Sequence, residues 1–105
     1  MVKQTAGRDA LTGFADDFAR YNDDVLFGEV WNNPNISLHN RSMITISCLV
    51  GKGIVDDSLK YHITTAKKNG VTKEEMASML TQLGFYAGWS NAWAALKMAR
   101  EVYKG

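Results

Sequence analysis

Cysteine is nearly absent from this chain of 105 residues, which contains a single one, Cys48. A lone cysteine cannot form an intramolecular disulfide, and it cannot supply the Cys-x-x-Cys pair of redox and zinc sites. The two histidines, His39 and His62, do not have the spacing of a His-x-x-His or His-Glu-x-x-His motif. We therefore expect no metal site unless folding brings carboxylates together. A glycine-rich phosphate loop and a Gly-x-Ser-x-Gly motif are missing as well.

An excess of charge of either sign is also missing. Twelve Lys and Arg residues stand against eleven Asp and Glu residues, and no basic run forms a phosphate-binding stripe, which argues against a nucleic acid partner. No apolar run approaches the roughly 18 residues of a membrane span, and the N-terminus lacks a charged-then-apolar signal. We expect a cytoplasmic protein with no membrane partner. The length predicts a single domain over residues 1–105.

The pattern that is present is helical throughout. After a frayed start over residues 1–7, a first helix is predicted from apolar positions at helical spacing: Leu11, Phe14, Ala15 and Phe18. Asn22 is the expected N-cap of a second helix, with Asp23 and Asp24 in its first turn. This second helix ends before Pro34, because a residue that precedes proline is pushed out of helical geometry.

A central helix is predicted from the N-cap Ser37 to the stop at Gly51. Its second half has almost no polar face, which predicts burial in the core or at a subunit interface. The β-branched stretch at 44–46 leaves a strand open as an alternative. Arg41 shares one helix face with Thr45 and Cys48, and the apolar surroundings predict an inert thiol.

Three further helices are expected. Asp56-Asp57-Ser58 starts the fourth helix, whose inner face reads Leu59, His62, Ile63 and Ala66. Thr72 and Glu75 form a capping box for the fifth helix, whose apolar positions are Met76, Met79, Leu80, Leu83 and Tyr86. Gly88 separates it from a last helix that carries Trp89, Ala92, Trp93, Leu96 and Val102. The chain is thus predicted to be all-α, a compact array of about six helices, and its five Met and three Trp residues predict an oligomer.

Three side chains are candidates for acid–base or anion-binding chemistry. His62 could transfer protons near neutral pH, or it could be a core histidine bound to a carbonyl. Apolar neighbours of Glu29 would raise its pKa and make it a proton donor, whereas in the alternative it is a solvated carboxylate. Arg41 could hold a substrate carboxylate or a protein carboxylate.

Aromatic residues near the fifth and sixth helices have two interpretations as well. Tyr86, Trp89 and Trp93 fit core or interface packing, and they could equally form the wall of a pocket. His39 lies in a first helical turn, where a cation is slightly unfavourable, and is expected to be exposed.

Four blocks taken together resemble the carboxymuconolactone decarboxylase family. The blocks are FGEVW at 27–31, Pro34 with SLHNR at 37–41, His62 ahead of NGVTKEE at 69–75, and FYAGWSNA at 85–92. The resemblance runs from about Ala10 to Tyr103. It implies an all-α fold, ring-like homo-oligomers that are commonly trimers or hexamers, and pockets at or near subunit contacts.

The family has two chemical branches, and the sequence distinguishes them. The alkylhydroperoxidase D branch has a Cys-x-x-Cys-x-x-x-His motif and uses one thiolate to attack and the other to resolve. If His62 is that histidine, Val55 and Ser58 occupy the cysteine positions and Ser42 falls near the catalytic glutamate, so peroxidase chemistry by that route is disfavoured.

The decarboxylase branch implies no cofactor and a small carboxylated lactone as substrate. By resemblance, Arg41 would bind a carboxylate or the enolate charge, His62 would polarise the lactone or transfer the proton, and Glu29 would donate a proton. Tyr86 and Trp89 would form the substrate-binding wall.

One block departs from the family pattern. Where these decarboxylases often read Leu-Arg-x-Arg-Glu, the chain has Leu38-His39-Asn40-Arg41-Ser42, so it resembles a paralogue whose substrate could be another acid or lactone. Two alternatives to a cofactor-independent lyase or isomerase stay open. One is a non-catalytic binding or assembly module, and the other is redox chemistry through Cys48 across a subunit contact.

Overall fold

Six α-helices and one π-helical segment are the regular elements of residues 1–104, the part of the chain that the computed structural model describes. Their bounds are α1 Ala6–Leu11, α2 Asp16–Arg20, the π-helical segment Tyr21–Val30, α3 Leu38–Gly51, α4 Asp57–Lys68, α5 Lys73–Tyr86 and α6 Trp89–Val102. No strand occurs in residues 1–104, so the predicted all-α class is confirmed and the alternative strand at 44–46 is wrong. None of the described helices is long and apolar enough to cross a membrane.

The chain divides into two compact units, residues 1–37 and residues 38 onward. In the first unit, the buried carboxylate of Asp23 caps α1. Its two oxygens accept hydrogen bonds from the backbone N–H groups of Gly7 at 2.9 Å and Arg8 at 3.0 Å. These donors lie in the first turn of α1, where an N–H has no partner within the helix. The π-helical segment therefore supplies, from Asp23, the N-terminal cap of a helix whose capped residue Gly7 lies 16 positions earlier in the chain.

Several predictions for the first unit are wrong. The chain is ordered before Gly7, because Val2 N–H donates to Asn32 Oδ1 at 2.6 Å and α1 already begins at Ala6. Gly13, with a φ of 83°, then interrupts the single helix predicted through this region, since positive φ suits glycine. Phe14, predicted to face inward, is 90% exposed. Asn22 caps nothing, because α2 continues directly into the π-helical segment.

Gly7→Ala is expected to destabilise the protein. A Cβ atom at this position would lie 2.7 Å from Asp23 Oδ1 and 2.8 Å from the carbonyl oxygen of Ala19, so both the cap and the backbone would have to move. Overpacking of this kind costs about 1–3 kcal/mol. The free energy of unfolding, measured by urea denaturation, should fall by that amount. The control is Gly51→Ala, where a Cβ atom meets nothing within 4 Å, and an equal loss in both variants would contradict the account.

The second unit contains four helices that pack around a shared core. α3 packs against α4 and α5, and α6 packs against the same two helices. A hydrogen bond from His39 to Glu75 joins the first turns of α3 and α5, which therefore run parallel. Asn91 at the start of α6 donates to the carbonyl of Val50 near the end of α3. We call the end with the N-termini of α3 and α5 the His39 end, and the opposite end the Asn91 end.

The core of the second unit confirms the predicted inner face of α4. Leu59, Ile63 and Ala66 have no exposed surface. The other buried apolar residues of this cluster are Ile46, Val50, Val71, Met76, Leu80, Ala95 and Ala99. Within the chain α3 is not covered on most sides, because Ile44 is 55% exposed and Cys48 is exposed, so full burial in the core is wrong. Its cover by a subunit interface stays a prediction. α3 is instead amphipathic, with its buried residues spaced four apart.

The predicted helix ends in the second unit are largely confirmed. Glu75 N–H donates to Thr72 Oγ1 at 3.0 Å and Thr72 N–H donates to Glu75 Oε1 at 2.9 Å, which completes the capping box of α5. Asp56 accepts from Ser58 N–H at 2.9 Å and so caps α4. Gly53 carries the positive φ that ends α3, two residues beyond the predicted stop.

Candidate functional site

His62 lies near the middle of α4, at the edge of the buried face formed by Leu59 and Ile63. The residue is half-buried, and its ring meets the ring of Tyr61 edge to face with 5.1 Å between centroids. Burial lowers the pKa of the His62 imidazole below its ordinary 6.5. At neutral pH the ring is therefore uncharged, with one nitrogen that donates a hydrogen bond and one that accepts. Such a ring can polarise a carbonyl and can also transfer a proton.

Arg41 lies in the first turn of α3, at the His39 end, and is half-buried. Asn69 Nδ2 donates to the hydroxyl of Ser42 at 3.0 Å, which aligns the start of α3 with the residue after α4. His62 precedes Asn69 by about two helical turns, or roughly 10 Å along the axis. Arg41 and His62 thus lie on adjacent antiparallel helices at different levels.

Tyr86 and Trp89 lie at the Asn91 end, where α5 ends and α6 begins. α5 has 14 residues, so roughly 20 Å of helix separates this end from the level of Arg41. Tyr86 is 83% exposed and Trp89 57% exposed, so packing in the core of the chain is wrong for both, whereas packing at a subunit interface or in a pocket wall stays a prediction. The second unit of one chain does not place the two predicted wall residues beside Arg41.

Trp89 packs at the edge of the contact between α5 and α6. A Cβ atom on Gly84 would lie 2.8 Å from the Trp89 ring, so the indole lies across the glycine. Ala92, Ala95 and Ala99 fill the core positions of α6. The inner face of α6 is thus occupied by small residues, and the rings of Trp89 and Trp93 lie at the edge of the contact between α5 and α6.

Glu29 is the penultimate residue of the π-helical segment in the first unit. The interpretation that apolar neighbours bury it is wrong, because the residue is exposed. A proton-donor role that depends on desolvation therefore has no support from its surroundings in the chain. Its catalytic assignment stays a prediction.

A contact that the sequence did not predict joins His39 to Glu75. His39 Nε2 lies 3.0 Å from both carboxylate oxygens of Glu75, and Nδ1 lies 2.8 Å from Asn40 Oδ1. His39 is half-buried, so the expectation that it is exposed is wrong. The Glu75 hydrogen bond, with that of Asn40, raises the pKa of His39. The bond from Thr72 N–H, with that from His39, lowers the pKa of Glu75. No local sequence pattern predicts this contact between the first turn of α3 and the capping box of α5. It depends on the parallel packing of two helices, which is a feature of the tertiary structure.

His39→Gln is expected to lower the melting temperature in a pH-dependent way. Because folding raises the pKa of His39, its contribution is fully present below the ordinary value of 6.5 and is lost as pH rises through the higher folded value. Because folding lowers the pKa of Glu75, the pair also weakens as pH falls below its ordinary value of 4.5. The difference in melting temperature should thus peak between these two values. In a Glu75→Gln background the pH dependence should vanish, and a difference that persists there would contradict the assignment.

An open groove of about 770 Å³ lies between α3 and α5. Its apolar lining includes Met43, Met79 and Leu83, and the carboxylates of Glu74 and Glu75 lie along one side. It contains none of the five predicted site residues. Within residues 1–104, no group of three or more His, Cys, Asp and Glu side chains is placed to hold a metal ion.

The fold and these side chains describe a small all-α protein with a half-buried neutral histidine and one cysteine. The family model of the carboxymuconolactone decarboxylase family matches residues 16–101, from the start of α2 almost to the end of α6. The chain is 37% identical over 94 residues to a 4-carboxymuconolactone decarboxylase of Acinetobacter baylyi, a match that covers 90% of this chain and 69% of that protein. The chain belongs to the carboxymuconolactone decarboxylase family, as the four sequence blocks predicted.

Proposed function

We propose that the chain is a cofactor-independent decarboxylase that acts on a small carboxylated lactone or a related acid. The observation that carries the proposal is the 37% identity, over 90% of the chain, to a protein named for the decarboxylation of 4-carboxymuconolactone. That lactone is therefore the first compound to test. The half-buried neutral imidazole of His62 supports the same chemistry.

Decarboxylation breaks the bond between carbon and the carboxylate, releases carbon dioxide and leaves the electron pair on an extended enolate. Arg41 would bind a substrate carboxylate through its guanidinium, since paired N–H donors match a carboxylate. The His62 N–H would donate a hydrogen bond to the oxygen on which negative charge develops, or the ring would transfer a proton to carbon. In the second case one ring nitrogen takes a proton from water as the other gives its proton to the carbon that lost carbon dioxide, so the imidazole ends neutral. Glu29 remains the candidate for a second proton donor.

Tyr86 and Trp89 would form the wall of this pocket only if a second copy of the chain contributed them. Their position at the Asn91 end, away from Arg41, motivates this part of the proposal. We accordingly propose that the active protein is a homo-oligomer, a trimer or a hexamer, whose site is completed across a subunit contact. Large exposed aromatic rings at that end are consistent with such a contact.

Two observations favour a second candidate, a binding module that has lost catalysis. The chain has His39 and Ser42 where decarboxylases of the family often have arginine and glutamate. His39 is engaged by Glu75, and the buried Ser42 hydroxyl accepts from Asn69. Both positions thus have structural partners within the chain. A ligand that binds tightly and is never converted would identify this alternative.

Wild-type protein is expected to consume 4-carboxymuconolactone, followed by ultraviolet absorbance, and Cys48→Ser is expected to do so at the same rate. The reason is that the only thiol, although exposed, has no second cysteine to resolve an oxidised intermediate. Reduction of an organic hydroperoxide, measured in parallel, serves as the control reaction. Loss of lactone turnover in Cys48→Ser, or peroxide reduction that depends on Cys48, would contradict the proposal.

A further inference from the structure

A cavity of about 590 Å³ lies between α5 and α6 at the His39 end of the second unit. α3 and α4, which carry Arg41 and His62, contribute no residue to its lining. Its volume falls within the range of about 300–1,000 Å³ that is typical of small-molecule sites. The cavity contains none of the residues assigned to decarboxylation.

The floor of the cavity belongs to the hydrophobic core. Met76 is 1% exposed and Ala99 is 5% exposed, so both are fixed by packing on their inner sides. Leu96 and Ala77 extend this apolar surface toward solvent. A ligand that rests there would bury apolar surface of its own.

One wall of the cavity is the ring of Tyr103, which is held at two points. Its hydroxyl donates to the carbonyl oxygen of Val71 at 2.7 Å. Lys67 Nζ lies 5.7 Å from the ring centroid and donates to the carbonyl oxygen of Val102 at 3.1 Å. A ring anchored in this way forms a preformed surface for a flat or short apolar group.

The rim of the cavity is cationic. Lys73 from the start of α5, Arg100 from the last turn of α6 and Lys104 beyond it line the opening, with no carboxylate among the lining residues. Within residues 1–104, none of these three side chains forms an ion pair with a carboxylate. The charge of Glu75 contributes to the raised pKa of Tyr103, and this carboxylate accepts a hydrogen bond from His39 at 3.0 Å. Three positive charges around an apolar floor favour the binding of an anion that also has an apolar body.

We infer that the cavity between α5 and α6 is a binding site for a small organic carboxylate, with its apolar body on Met76 and Tyr103 and its charge at Lys73 and Arg100. This inference is independent of the proposed decarboxylase function, since it uses different residues. It assigns the chain a second ligand site whose occupant would be an aromatic or short aliphatic acid.

The test is a titration of the full-length wild-type protein, followed by two-dimensional amide NMR, with three probes. Benzoate has both the charge and the apolar body, benzyl alcohol has the body alone, and inorganic phosphate has the charge alone. Benzoate is expected to produce saturable shifts of the amides of Lys73, Ala77, Arg100 and Tyr103. The other two probes are expected to bind these residues more weakly. Absence of saturable shifts with benzoate, or equal binding of benzyl alcohol, would overturn the inference.

A charge-removal variant sharpens the test. Lys73→Gln combined with Arg100→Gln is expected to weaken benzoate binding by about tenfold or more, since charge-assisted hydrogen bonds to carboxylates are among the stronger kind. The matched control is Lys52→Gln with Lys60→Gln, which removes the same charge from exposed positions outside the cavity. An equal loss of binding in both double variants would show a general effect of net charge and would overturn the site. The wild-type comparison of three probes decides the question even if a variant fails to fold.

Discussion

Replacing His62 with alanine is expected to lower kcat/KM for the lactone by about 10²–10⁴-fold, the range that a positioned general acid or base contributes. The expectation follows from the half-buried ring, whose pKa is lowered by burial and which is therefore neutral at pH 7. The measurement is steady-state turnover of 4-carboxymuconolactone. The matched control is Tyr61→Phe, which keeps the neighbouring aromatic ring and should retain most of the activity.

The pH profile separates a chemical role of His62 from a packing role. Because its pKa is lowered, the ring stays neutral down to more acidic pH than an ordinary histidine, and kcat/KM should fall only as the pH drops through that lowered value. His62→Gln fills similar space and cannot transfer a proton, so it should lose both the activity and this acid limb. If His62→Gln keeps wild-type kcat/KM and the same acid limb, His62 is a core residue and the assignment is wrong.

Ile63→Ala is expected to lower the free energy of unfolding by about 2–5 kcal/mol. Ile63 has no exposed surface and lies within the core cluster of the second unit. Removal of its side chain leaves a cavity that neighbouring helices can close only in part. The free energy of unfolding from urea denaturation measures the loss.

The neighbouring residue supplies the control for this substitution. Thr64 is exposed, and its hydroxyl donates to the carbonyl of Lys60 within the same helix. Thr64→Ala should change the free energy of unfolding by about 0.5 kcal/mol or less, as surface substitutions usually do. A loss at Ile63 no larger than the loss at Thr64 would contradict the position of the core.

Local patterns predicted much of the second unit. The capping box of α5 and the inner face of α4 depend on residues three or four apart, so the chain encodes them within a single helix. The positive φ of Gly88 likewise separates α5 from α6 where the sequence placed a break. These features need no knowledge of which helices are neighbours.

Features that depend on tertiary contacts were missed. Asp23 fits a solvated first-turn carboxylate by position, yet it is buried because it caps α1. The contact between His39 and Glu75 requires two parallel helices. Trp89 and Trp93 belong to an apolar pattern at helical spacing along α6. The buried face of this helix nevertheless consists of alanines, and both indole rings are more than half exposed. A periodic pattern identifies an apolar face without saying what covers it.

The candidate site was predicted in part. His62 lies on the partly buried face that its spacing predicted, while Glu29 is exposed and Tyr86 lies far along the helices from Arg41. The carboxymuconolactone decarboxylase family is confirmed by the family match over residues 16–101. The single domain, the cytoplasmic location, the oligomer and the roles of the five site residues stay predictions.

Decarboxylation is tested most directly by the amount of carbon dioxide that wild-type protein and His62→Ala release from 4-carboxymuconolactone, measured side by side. We expect one carbon dioxide for each lactone consumed by the wild type, with no added metal or cofactor, and a rate near background for the variant. Equal release by both proteins would contradict the role of His62. No release by either, with the lactone bound, would contradict the decarboxylase and identify a binding module.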